Sequence, residues 1–189
     1  MNPRSCKDHT NCSTKGIGAT QSLNELDFDR GIWSAAMDNE IERLEKLIAR
    51  GHLYDRDSCG YTALHYAARN GHFEACQLLL LNGLGVNEVT NGGVTALHRA
   101  AMMGHTRIME LLLSFRANAM QKDNDGRTAL HRAAEGGHLK SCQLLVIISP
   151  VLRHVEDVRR HKPIDLVQDT HTDADLLRKL LAVPRRPPL

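Results

Sequence analysis

A chain of 189 residues with 42% apolar residues is long enough to bury a core, but only 4% are aromatic, so that core must rest on Leu and Ala. Its 24 basic and 22 acidic residues leave a net charge of +2, which argues against the broad basic field of a nucleic-acid or anionic-membrane partner. No apolar run approaches the ~18 residues of a membrane span, and residues 1–26 hold no signal-peptide core, so the expectation is an intracellular protein, cytoplasmic with nuclear residence left open.

The first feature in chain order is Cys6-x-x-His9-x-x-Cys12, within a polar tail assigned to residues 1–26. Three soft ligands at this spacing make a candidate zinc site, but a structural site takes four, so another ligand would have to come from elsewhere. The plain reading is a tail without metal and a protein without cofactor. The alternative is a scaffold whose tail orders on zinc.

A first unit, 27–58, holds Trp33-Ser34-Ala35-Ala36, then Leu44, Leu47 and Ile48 on a charged stretch from Glu40 to Arg50. The block Thr-Ala-Leu-His follows at 62–65, 95–98 and 128–131, with a period of 33 residues. Gly60, Gly93 and Gly126 precede it; Gly71-His72, Gly104-His105 and Gly137-His138 follow it; Leu pairs begin at Leu78, Leu111 and Leu144. A fixed period of this length marks stacked supersecondary units, none able to bury its apolar face alone. Each Thr stands where a helix N-cap is wanted, each Gly-His where the first helix ends, and each Leu pair on a second helix. The units are drawn as 59–91, 92–124 and 125–158, followed by a degenerate unit at 159–182 and a tail at 183–189.

Some positions depart from the period. Arg116 and Ser149 replace the glycine that closes the second helix at Gly83, so those ends should be strained or reshaped. The connection Ile147-Ile148-Ser149-Pro150-Val151-Leu152 is unusually apolar, and either packs on the last unit or offers a partner surface. Cys76, Met109 and Cys142 share one phase of the second helix and read as small apolar packing. The basic run Arg159-Arg160-His161-Lys162 and the tail segment Pro184-Arg185-Arg186-Pro187-Pro188 are too short to stand as modules and read as solvated.

The motif Gly60-Tyr61-Thr62-Ala63-Leu64-His65-Tyr66-Ala67-Ala68-Arg69-Asn70-Gly71-His72, with its later copies, resembles the ankyrin repeat, over roughly residues 27 to 182. The resemblance implies an all-α solenoid of helix–turn–helix units joined by β-turn or hairpin loops, here three full repeats between two degenerate caps. It also implies that the Thr-x-Leu-His histidines tie one turn to the next. Ankyrin surfaces that meet partners would correspond to Ser58, Tyr61, Arg69 and Asn70 in the first full repeat. They would be Asn91, Val94, Met102 and Met103 in the second, and Asn124, Arg127 and Glu135 in the third. In this reading Tyr61, Val94, Met102 and Met103 form a dry centre with Arg69, Arg127 and Glu135 at its rim. Asn87 holds the hairpin position that the family can offer to an asparagine hydroxylase; its alternative role is to hold the turn.

No Gly-x-x-x-x-Gly-Lys phosphate loop, His-Glu-x-x-His helix or Gly-x-Ser-x-Gly elbow is present. The expectation is a non-enzymatic, monomeric adaptor or scaffold subunit with a protein partner. No nucleic acid, membrane or small-molecule substrate is expected.

Overall fold

The computed structural model describes residues 31–182. Cys6, His9, Cys12, residues 27–30 and the segment 184–188 therefore lie outside the described residues. Within them run nine α-helices and no strand. In order these are α1 (Ile32–Met37), α2 (Ile41–Ala49), α3 (Ala63–Asn70), α4 (Phe73–Leu81), α5 (Ala96–Met102), α6 (Thr106–Ser114), α7 (Ala129–Glu135), α8 (Leu139–Ile148) and α9 (Ala174–Leu181). Helices α1, α3, α5 and α7 and the 3-10 turn Pro163–Leu166 pack side by side as an inner row, while α2, α4, α6, α8 and α9 form the outer row. This is the all-α stack that the ankyrin resemblance implies.

The inner helices start where the sequence places them, because each Thr adopts an extended backbone and takes the N-cap. The histidine three residues on completes a capping box. Its Nδ1 accepts the Thr backbone N–H at 3.2, 3.2 and 3.1 Å in the three repeats. Alanine pairs on the same helices (Ala35-Ala36, Ala67-Ala68, Ala100-Ala101 and Ala133-Ala134) are fully buried and let neighbouring backbones approach. Gly104 ends its turn at φ +76°, and a β-carbon there would also lie 2.5 Å from the His138 ring.

On the outer row Cys76, Met109 and Cys142 are wholly buried, as their shared phase predicts. Burial pushes the Cys76 and Cys142 thiols up to about 12, so both stay protonated and inert. Arg116 does adopt a left-handed backbone, φ +64°, where Gly83 has +93°. Ser149 is extended, because Pro150 disfavours a helical residue before it, and α8 gives way to the 3-10 turn Pro150–His154. Of the apolar stretch 147–152, Leu152 enters the core, while Ile147 and Val151 remain 78% and 60% exposed. The packing expected of this connection is thus confined to one residue.

Candidate functional site

Between the helix pairs the chain makes four five-residue fingers: Asp57-Ser58-Cys59-Gly60-Tyr61, Thr90-Asn91-Gly92-Gly93-Val94, Asp123-Asn124-Asp125-Gly126-Arg127 and Asp157-Val158-Arg159-Arg160-His161. Each closes by the same backbone bond, first-residue N–H to fifth-residue carbonyl, at 3.0, 3.0, 2.9 and 2.9 Å. In three of them an aspartate side chain replaces missing backbone partners: Asp57 accepts the N–H groups of Cys59 and Tyr61, Asp123 those of Asp125 and Arg127, and Asp157 those of Arg159 and His161. Thr90 does this with a single bond, to Val94, at 3.2 Å. Adjacent fingers are joined by Asn91 N–H to Cys59 O, Asn124 N–H to Gly92 O and Val158 N–H to Asp125 O, at 2.9–3.0 Å. The unit boundaries drawn from the sequence at 58/59, 91/92, 124/125 and 158/159 fall within these tips.

Two rows of histidines fasten the fingers and helices from beneath. His65, His98 and His131 reach forward, their Nε2 bonding the carbonyls of Val94, Arg127 and His161 at 3.0, 3.1 and 3.2 Å. His72, His105 and His138 reach back to the carbonyls of Met37, Arg69 and Met102 at 2.8, 3.0 and 2.9 Å. Burial lowers His65 to about 4, against the opposing pull of the Val94 bond, and lowers His98 and His131 as well. These rings are neutral Nε2–H tautomers at neutral pH, which is the form that can both accept from Thr and donate to the next finger.

Where the fingers overhang the inner row they enclose a groove of about 330 Å³. Finger residues Tyr61, Asn91, Val94 and Asn124 line one wall, and Arg99, Met102, Arg132 and Glu135 the other. The pairs Arg99/Met102 and Arg132/Glu135 share a helix face at spacing i, i+3. Tyr61 is pinned at the mouth: its ring stands edge-on to His65 at 5.6 Å, and the Arg99 guanidinium lies 4.8 Å from its ring centroid while donating to its hydroxyl.

Six of the sequence-selected residues therefore meet in the groove: Tyr61, Asn91, Val94, Met102, Asn124 and Glu135. Others go elsewhere. Ser58 is on the outside of the first fingertip, where its carbonyl accepts from the Asn91 amide. Asn70 donates backward to Met37 O at 2.9 Å, Arg69 is half-buried below the groove with its carbonyl given to His105, and Met103 is 45% exposed beyond the end of α5. Arg127 is only 14% exposed and is bound to Glu135 and Asp157.

The expected dry centre with an open charged rim is not what forms. Arg99 enters the centre, and on the third-repeat side the charges close on one another. Arg132 bridges Asp123, Asp125 and Glu135, and Arg127 bridges Glu135 and Asp157. Burial alone would raise the Asp157 carboxyl, but the N–H donors of His161 and Arg159 and the Arg127 guanidinium bring it to about 2. Burial would likewise favour loss of the Arg132 proton, and the Asp123 carboxylate outweighs it. Arg99 and Arg132 escaped the sequence reading, although each directly follows the repeat histidine and stands one turn before a selected residue.

Against known proteins, the family model described as ankyrin repeats in three copies matches residues 32–123 and 77–153. The chain belongs to the ankyrin-repeat family. A stretch of 84 residues is 49% identical to human ankyrin repeat domain-containing protein 39, covering 43% of this chain and 46% of that one. A stretch of 74 residues is 49% identical to the Bos taurus protein of the same name, covering 38% and 40%. The matched part spans less than half the length of either relative. Ankyrin repeats are protein–protein interaction modules and are generally not catalytic.

Two further candidates of the ankyrin reading can be located. Asn87 is exposed but occupied: its Oδ1 accepts the Asn118 N–H at 2.8 Å and its amide reaches Arg116 O at 3.4 Å, joining two successive loops. Cys6, His9 and Cys12 are outside the described residues, and among those residues no cluster of His, Cys, Asp and Glu could hold a metal. Also among them, no helix is long and apolar enough to cross a membrane.

Proposed function

We propose that this array is a monomeric adaptor or scaffold subunit that takes a protein segment in the groove between the first three fingers and helices α5 and α7. The observation that carries this reading is the meeting of Tyr61, Val94 and Met102 with Arg99 in one concave space of about 330 Å³. Tyr and Arg dominate interface energetics, and Met adapts to varied partners. Tyr61 and Arg99 already hold each other, so little side-chain freedom remains to be lost on binding. Asn91 and Asn124 contribute as parts of the wall, and Arg127 by holding Glu135 in place. Ser58, Arg69, Asn70 and Met103 would extend the contact beyond the groove. Asn87 is proposed as a structural bridge, with hydroxylation the lesser reading because both its side-chain ends are engaged.

The test is affinity capture with quantitative mass spectrometry, comparing the native chain with Met102→Ala and with Tyr61→Ala, after circular dichroism shows equal folding. Loss of the same partners in both variants supports the groove. Partners retained by both would move the function to another face. A single central contact of this kind contributes on the order of 2 kcal/mol, or roughly thirtyfold in affinity.

A further inference from the structure

The fourth finger differs in chemistry from the other three. Its fourth residue is Arg160, at φ +64°, in the place that Gly60, Gly93 and Gly126 occupy at φ +79°, +73° and +74°. A β-carbon disfavours this conformation, so an arginine stands where glycine would relieve the backbone. Arg159 and Arg160 are both exposed, and among the described residues neither pairs with a carboxylate. Segment 153–162 holds four Lys or Arg (Arg153, Arg159, Arg160 and Lys162) against Glu156 and Asp157. The Asp157 charge is offset by Arg127, 3.3 Å from its Oδ2, while its Oδ1 accepts the Arg159 and His161 N–H groups. Lys162 meets Glu156 only at 3.8 Å, with both side chains nearly half exposed. Val158, 69% exposed, adds an apolar contact on the same tip. One side of this finger is stacked on Asp125, and among the described residues no fifth finger covers the other.

We infer that this fourth fingertip docks an acidic protein segment, with carboxylates on Arg159 and Arg160 and a small apolar residue on Val158. Guanidinium groups suit carboxylates because they donate two parallel N–H bonds. A peptide fits better than a phosphodiester chain, since exposed Asp125 stands on the preceding finger and Glu156 beside the tip. An evenly charged backbone running along the fingers would meet both, whereas a peptide can place its acids at one end. The site is separate from the groove, which the fourth finger does not line.

The experiment is fluorescence anisotropy on the full chain with labelled peptides of about twelve residues, long enough to span ~40 Å when extended. One peptide is rich in Asp and Glu with interspersed Leu; its counterpart carries Asn and Gln at the acidic positions; a labelled single-stranded oligonucleotide is the third probe. The acidic peptide is expected to bind at least about tenfold more tightly than its neutral counterpart, and more weakly as salt rises. The variant Arg159→Gln, Arg160→Gly should lose about tenfold in affinity while melting no lower than the native chain, because glycine suits the left-handed position. Met102→Ala should bind the acidic peptide as the native chain does, so failure here and failure of the groove are told apart. Equal binding of the neutral peptide, undiminished binding by the double variant, or loss on Met102→Ala would overturn the fingertip site. Tighter binding of the oligonucleotide than of the acidic peptide would also overturn it, in favour of a phosphate surface.

Discussion

His98 reaches across 29 residues to donate its Nε2 proton to the carbonyl of Arg127 at 3.1 Å, while its Nδ1 accepts from its own helix cap, Thr95. The ring thus joins an N-cap, a helix and the following finger, and it is 2% exposed. His98→Ala removes the capping box and leaves a buried N–H and a carbonyl without their partner. A loss on the order of 3 kcal/mol is expected from these terms together. Urea unfolding should show it as a lower midpoint. A change under about 0.5 kcal/mol would mean that the ring is spare.

The same burial makes the array sensitive to acid. The folded value of His65, about 4, lies below its ordinary 6.5, so as pH falls the unfolded chain takes up the proton first. The stabilisation from the neutral ring is complete above about 6.5 and is lost between 6.5 and 4. For His65 this amounts to roughly 3 kcal/mol, and His98 and His131 shift in the same direction. Asp157 adds a later loss: its stabilisation is present above 3.8 and goes as pH falls through about 2. Thermal melts at pH 7 and pH 5 should therefore differ clearly. Equal melting temperatures would show that the rings are not buried neutral.

Gly104→Ala tests a second row of contacts. The new β-carbon would need a left-handed backbone and would meet the His138 ring at 2.5 Å, so the ring must lose its bond to Met102 O or the helices must part. A cost of about 2–3 kcal/mol is expected, well above the usual penalty of a helix-end substitution. Differential scanning calorimetry of the variant would measure it, and an unchanged melting temperature would place the ring elsewhere.

The sequence revealed much of this fold because one arrangement is written several times. Thr95, His98, Gly104 and Leu112 keep their offsets in each copy, so periodicity gave the caps, helix ends and buried Leu without any knowledge of neighbours. The fourth finger was hidden because it comes 34 residues after the third and carries Arg160 in place of glycine, so Arg159-Arg160-His161-Lys162 read as an ordinary basic loop. The groove was half legible. Tyr61 and Met102 follow from position in the repeat, but Arg99 turns toward Tyr61 across 38 residues, a direction that no local pattern fixes. The pairing of Arg127 is hidden for a related reason, since its partners Glu135 and Asp157 lie on a helix and on the next finger.

Arg116 offers a stabilising change. Its φ of +64° follows α6 where Gly83 follows α4, and its N–H bonds Leu113 O at 2.9 Å in the same helix-closing geometry. Arg116→Gly should relieve about 1 kcal/mol of backbone strain, less a few tenths for the greater freedom of the unfolded chain. A rise of a few degrees in melting temperature is the expected result. A fall would mean that the arginine side chain contributes more than its backbone costs.

Thr90 stands where the fingers before and after it carry aspartate. Asp57 and Asp123 hold the same finger position and bind the residue that follows the repeat histidine: Asp57 accepts from the Tyr66 hydroxyl at 2.6 Å, and Asp123 from Arg132 at 2.6 Å. With Thr90 in that place, Arg99 extends to Tyr61 instead. Thr90→Asp would supply a carboxylate able to accept the Gly92 and Val94 N–H groups and to pair with Arg99, as Asp123 does one repeat on. It should stabilise the array by about 1 kcal/mol while drawing Arg99 off Tyr61. Captured partners should then bind less well, although the fold is firmer. The two readouts move in opposite directions, so a variant that gained stability and kept all its partners would show that Arg99 takes no part in recognition.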